Sequence, residues 1–128
     1  NDYSRGKMNK FKITVTTILL GLSLISVSTY TSAWTAEQSK IAAAMSDRLM
    51  QAVNEVEARN YSKAIEYAEP VANTPITEYN QEIVVMAQFF LGYSHLAKKN
   101  KKKAILWLQK ACKNGHSDSC EMLENNKK

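Results

Sequence analysis

Residues 101–113, KKKAILWLQKACK, lie without a gap over residues 61–73, YSKAIEYAEPVAN. Lys63, Ala64 and Ile65 fall on Lys103, Ala104 and Ile105, and Tyr67 falls on Trp107, an offset of 40 residues. Each segment follows a longer stretch whose apolar residues recur every three or four positions. The repeating unit is therefore a pair of helices. Helix pairs at such a period cannot bury their apolar faces alone, and they stack on their neighbours as an α-solenoid. The expected fold is all-α: a short α-solenoid of antiparallel helix pairs, about two repeats plus a closing helix.

Working outward, Thr35-Ala36-Glu37-Gln38 reads as a capping box that opens a first helix. Ile41, Met45, Leu49, Ala52 and Val56 give that helix one apolar stripe. Asn60 marks a turn, and Ala64, Ile65, Ala68 and Val71 carry the next apolar face. Pro70 is expected to end or kink this second helix near Tyr67 to Glu69, because a proline inside a helix removes a donor and clashes with the preceding turn. Thr74-Pro75 reads as a new start, with threonine as cap and proline at the first helical position. A third helix is expected from Pro75 or Glu78 to Ala97, with Ile83, Ala87, Phe90, Leu91 and Ser94 on one side. Gly92 weakens it, and its expected use is to let a neighbouring helix come close. A fourth helix spans Lys101 to Lys113 with Ala104, Ile105, Leu108, Ala111 and Cys112 inward, and a short one runs from Ser117 to about Glu124. No period-two alternation is long enough for a strand.

The front of the chain has a different composition. Residues 1–12 carry four basic groups and one acid, and residues 13–36 carry no charge. The dense apolar run ILLGLSLISV is followed by TSA, with Thr31 and Ala33 as the small residues of a cleavage site. This is the pattern of a secretory signal peptide. The expected organisation is residues 1–33 as upstream residues and signal peptide, with a start at Met8 and cleavage after Ala33, and residues 34–128 as the repeat domain. The expected location is periplasmic. The alternative is an inner-membrane anchor facing the periplasm, since 24 uncharged residues are long enough to span a bilayer.

The formal charge of the whole chain is +5, yet residues 34–128 hold thirteen basic and eleven acidic side chains. The excess charge belongs mostly to the front segment and does not mark a nucleic-acid binder. A lysine run, KKNKKK at 98–103, falls at a turn, where solvated charge is the default. It lacks the interleaved aromatics that stack on bases, and an acidic protein surface or an anionic lipid remain its other readings.

At this point residues 87–123 resemble a Sel1-like repeat, a relative of the tetratricopeptide repeat. The resemblance rests on Ala87, Leu91, Gly92, Tyr93, Lys103, Ala104, Trp107, Lys110, Ala111, Gly115 and Leu123. It is weaker over 41–73, where Pro70 and the longer 70–80 segment depart from the pattern. Its core repeat positions here are Ala64, Tyr67, Ala87, Leu91, Gly92, Ala104, Trp107 and Ala111. The resemblance to cysteine-rich Sel1-like secreted proteins further implies a disulfide between Cys112 and Cys120, joining one repeat to the next. Such proteins mostly bind other proteins. Some small ones resemble periplasmic immunity proteins that neutralise delivered toxins, and a few cysteine-rich ones are described as β-lactamase-like.

The residues themselves weigh on each option. A redox pair would want Cys-x-x-Cys spacing, and zinc would want two more ligands when only His95 and His116 exist. A closed loop this short contributes roughly 2–3 kcal/mol on chain-entropy grounds. A β-lactamase-like hydrolase needs Ser-x-x-Lys. The one such spacing, Ser4 to Lys7, lies ahead of the signal peptide. His95 reads as a surface or cap residue and His116 as a loop residue. No enzymatic activity, metal or cofactor is expected. What remains is protein binding, with Tyr79, Phe89 and Tyr93 as exposed aromatic anchors beside Lys99 and Lys102; Phe90, Tyr67 and Trp107 are assigned to the core. The expected function is a periplasmic protein-binding module, monomer or homodimer, leaning to an immunity protein that covers a delivered toxin. An assembly or structural accessory of an envelope complex is the alternative.

Overall fold

The computed structural model describes residues 34–127; residues 34–40 belong to one compact unit of the chain and residues 41–127 to another. The expected signal segment, its start at Met8 and its cleavage site lie outside the described residues. In the first unit, Thr35 and Gln38 form the expected capping box. The Gln38 N–H donates to Thr35 Oγ1 at 3.1 Å, and the Thr35 N–H donates to Gln38 Oε1 at 2.9 Å.

Five helices follow: α1 Ala36–Glu57, α2 Tyr61–Ala72, α3 Gln81–Ala97, α4 Lys101–Lys113 and α5 Ser117–Asn126. There is no strand among the described residues. Helix α2 packs on α3, α3 on α4 and α4 on α5, a solenoid-type succession of helix pairs. The stripe of α1 runs through Leu49, Ala52, Val53 and Val56, all buried, whereas Ile41 is exposed.

Three of the four turns close the same way. Arg59, Lys99 and Gly115 have φ of 61°, 62° and 96°. In each case the next N–H reaches back five residues: Asn60 to the Glu55 carbonyl at 2.8 Å, Asn100 to His95 at 2.8 Å, His116 to Ala111 at 3.0 Å. This left-handed closure satisfies carbonyls that a helix end leaves open. Arg59-Asn60 and Lys99-Asn100 are 40 residues apart, so the sequence repeat is also a backbone repeat.

Helix α3 is the centre of the stack. With α2 on one side and α4 on the other, eleven of its seventeen residues are buried, including Val84, Ala87, Phe89, Phe90 and Leu91. Gly92 sits against α4, where an added Cβ would stand 2.8 Å from Leu108 Cγ and 3.2 Å from its backbone nitrogen. The expected close approach of a neighbouring helix is there.

Two expected boundaries move. Helix α2 continues through Pro70 to Ala72 rather than ending near Tyr67 to Glu69. Pro70 is exposed in the last turn, where little ladder is left to break, and Val71 and Ala72 beyond it are buried. The end is then closed by side chains. Asn73 donates from both its N–H and Nδ2 to the Glu69 carbonyl at 3.0 Å, and the Thr74 hydroxyl donates to the Pro70 carbonyl at 2.9 Å. Because the Thr74 hydroxyl faces backward, it caps no new helix, and α3 begins only at Gln81. The intervening loop is organised by Asn80, whose Oδ1 accepts from the Thr77 N–H at 2.7 Å while its Nδ2 donates to the Pro75 carbonyl at 3.0 Å.

Candidate protein-binding surface

The residues expected to face a partner divide into two groups. Phe89 is fully buried, and Tyr93 is buried as well. Both expectations of exposure are corrected: α3 packs on α2 and α4, and every residue from Ala87 to His95 is buried. The Phe89 ring lies 5.1 Å from Phe90, 6.2 Å from Tyr93 and 4.6 Å from His116, and Tyr93 lies 6.4 Å from Tyr61. These aromatics tie α2, α3 and the start of α5 into one cluster. Tyr79 is half-buried, and Lys99 and Lys102 are exposed. Trp107 is buried as expected, and its repeat counterpart Tyr67 is half-buried.

The two histidines also part company. His116 is the cap of α5, its Nδ1 accepting from the Ser119 N–H at 3.2 Å. His95, expected at the surface, is buried near the end of α3. Burial holds its pKa below the usual histidine value, nearby Lys103 and Lys98 push the same way, and Glu69 opposes them. Gln88 is a polar core residue that the sequence pattern did not single out. Its Oε1 accepts from Asn114 Nδ2 at 3.1 Å, and its Nε2 reaches toward the Ala72 carbonyl at 3.5 Å. A polar residue inside an otherwise apolar helix face was the available signal.

Cys112 and Cys120 form a disulfide, with Cα atoms 4.9 Å apart, that joins the last turn of α4 to α5. No group of three or more His, Cys, Asp or Glu side chains suited to a metal ion occurs among the described residues. Nor is any described helix long and apolar enough to cross a membrane.

The outward side of α4 presents exposed residues to a partner. Leu106 is 51% exposed, the most exposed large apolar side chain described in residues 41–127. Lys110 Nζ stands 4.3 Å from the centre of the Trp107 ring, which fixes one cation beside it.

Residues 54–72 and 85–116 match the family model of the Sel1 repeat. Over these two stretches the chain is similar to the Sel1 repeat family. The first match covers the end of α1 and all of α2, and the second covers most of α3, the whole of α4 and the turn to His116. The second match is thus a helix pair, and the two matches share the register that Lys63-Ala64-Ile65 and Lys103-Ala104-Ile105 indicate. A Sel1-repeat fold is typical of non-enzymatic protein-interaction modules. No curated protein and no solved structure matches the chain.

Proposed function

We propose that this Sel1-like chain is an exported protein-binding module that acts in the periplasm by covering one partner, a delivered antibacterial toxin. The observation that carries the reading is the Cys112–Cys120 disulfide within a short helical repeat. Disulfides persist in oxidising compartments and are rare in the cytosol, and a small domain gains most from such a staple. The charge, apolar core and small-residue exit of residues 1–33 support the same compartment. Two helix pairs offer too little surface for many clients, which favours a single partner.

The test is to express the whole chain with a C-terminal tag, fractionate the cells without reductant and measure the intact mass of the periplasmic species. The expected species begins at Trp34 and is oxidised. Its stoichiometric partner in a pull-down is a single secreted effector, and deletion of the gene impairs growth only beside an attacking strain. Capture of several housekeeping envelope proteins, with a growth defect in pure culture, would replace this reading with that of an envelope accessory. A cytosolic species with free thiols would overturn it.

A further inference from the structure

The outward face of α4 has a composition found nowhere else in the chain. Residues 98–113 hold seven lysines and no carboxylate, while the rest of residues 34–128 holds six basic and eleven acidic side chains. The small net charge therefore conceals a segregation: one basic helix and its leading turn against an acidic remainder. On α4 the inward positions are Ala104, Trp107, Leu108 and Ala111, all buried. At 3.6 residues per turn, Lys102, Lys103, Leu106, Gln109, Lys110 and Lys113 share the opposite side, and all six are exposed. Leu106 stands in the middle, four residues from Lys102 and four from Lys110. The stripe from Lys102 to Lys113 is about 16 Å long. Among the described residues, none of Lys102, Lys103, Lys110 and Lys113 forms an ion pair with a described carboxylate, whereas Lys127 pairs with Glu124.

We propose that this face is the docking surface for an acidic protein segment, whose carboxylates pair with Lys102, Lys103, Lys110 and Lys113 around a shallow apolar pocket that receives Leu106. The inference deepens the protein-binding reading above and rests on it. Four unpaired cations around one exposed leucine form a small apolar centre with a charged rim. Complementary charge then steers the encounter and fixes its register. Lys110, held over Trp107, is already placed for this. A lipid surface fits the same face poorly. Interfacial helices insert a broad apolar side, and the apolar side of α4 is spent in the core, leaving one leucine. A nucleic acid fits poorly too, since the only aromatic of α4, Trp107, is buried.

The test uses the whole chain with its disulfide intact. The probe is a fluorescein-labelled peptide with a central Leu-Phe pair between two blocks of glutamate, and its control has glutamine in place of glutamate. The glutamate peptide is expected to bind, and roughly 0.5 M salt should weaken it about tenfold. The double variant Lys102→Glu/Lys110→Glu should weaken it about tenfold at low salt, and Leu106→Ser about threefold with the same salt dependence. Arg48→Glu/Lys63→Glu, which makes the same charge change on exposed positions of α1 and α2, should stay within about twofold. No binding of the glutamate peptide, equal loss in both double variants, tight and lysine-dependent sedimentation with phosphatidylglycerol vesicles, or salt-sensitive self-association through α4 would each overturn the assignment. A wild-type chain that captures its effector, and a Lys102→Glu/Lys110→Glu chain that captures it equally well, would remove the face and leave the protein-binding reading. A chain that captures no protein in cell extract yet binds the peptide on this face would do the reverse.

Discussion

Gly92 and Leu108 meet so closely that the space for a single methyl group does not exist between α3 and α4: a Cβ on the glycine would lie 2.8 Å from Leu108 Cγ and 2.9 Å from Cδ2. Alanine at this position would gain about 1 kcal/mol of helix propensity, but overpacking costs about 1–3 kcal/mol. The side chain can swing away only partly, because the Leu108 backbone nitrogen is at 3.2 Å. Gly92→Ala is expected to lower stability by up to roughly 2 kcal/mol net, read as a fall in the urea midpoint at constant m-value. In the double variant with Leu108→Ala the alanine at 92 should cost less than it does alone. Simple additivity would show that the two residues do not press on one another.

The Cys112–Cys120 disulfide closes a short loop over Asn114 and Gly115. Reduction, or Cys112→Ser/Cys120→Ser, should cost about 2–3 kcal/mol. The loss should concentrate in α5, which packs on α4 and is otherwise held through His116 and Ser119. Hydrogen exchange is the measurement: amides of α5 should lose protection in the serine variant, while those of α3 keep most of theirs. Uniform loss through α3 would mean that the bond holds the whole stack rather than its last helix.

Three equivalent turns give a graded comparison. Arg59, Lys99 and Gly115 share positive φ, which costs an L-residue about 1–2 kcal/mol relative to glycine. Lys99→Gly should therefore stabilise the protein by about 0.5–1 kcal/mol, the gain being reduced by the freedom glycine adds to the unfolded chain. Gly115→Ala should destabilise by about 1 kcal/mol, although open space surrounds its Cβ position. Strain alone is at issue there. Thermal or urea melts of the two variants should move in opposite directions.

The helix pairs and their register were legible because periodicity and the 40-residue offset are local signals that tertiary packing reinforced. Residues 101–113 appear as α4 with both ends as expected, and the Thr35–Gln38 box forms as its four residues prescribe. The exposure of individual aromatics was not legible. Phe89 and Tyr93 lie on a helix that is apolar nearly all round, and a sequence does not say how many neighbours surround such a helix. His95 was misplaced for the same reason: its lysine neighbours suggest solvent, but its own side turns toward the stack. The docking stripe was half visible. The lysine run drew attention to 98–103, yet the face depends on Lys110 and Lys113 about two and three turns further on, and on Leu106 being exposed. Those are facts of packing.

His95 makes stability depend on pH in a stated direction. Burial lowers its pKa in the folded chain, helped by Lys103 and Lys98 and opposed by Glu69. As pH falls, the unfolded chain takes up the proton first, starting near the ordinary histidine value of about 6.5. Stability present above that value is lost as pH falls toward the lowered folded value. The urea midpoint should therefore drop between about pH 7.5 and 5.5, above the range where carboxylates titrate. A His95→Gln variant should show a flatter dependence over the same interval. An equal slope in the variant would assign the dependence to another group.

The loop from Thr74 to Asn80 replaces the helix start expected at Thr74-Pro75, and a single side chain accounts for its shape. Asn80 is 2% exposed and holds the loop at two points, the Thr77 N–H at 2.7 Å and the Pro75 carbonyl at 3.0 Å. Asn80→Ala leaves both of those groups without their partner, at a cost of about 1–3 kcal/mol. Asn80→Asp separates the two bonds: the carboxylate keeps the acceptor for Thr77 but has nothing to donate to Pro75. It is therefore expected to lose less than the alanine variant at neutral pH. Limited proteolysis should show the same order, with cleavage in 74–80 fastest in the alanine variant, intermediate in the aspartate variant and slowest in the wild type. If alanine and aspartate cost the same, the Pro75 bond alone positions the loop.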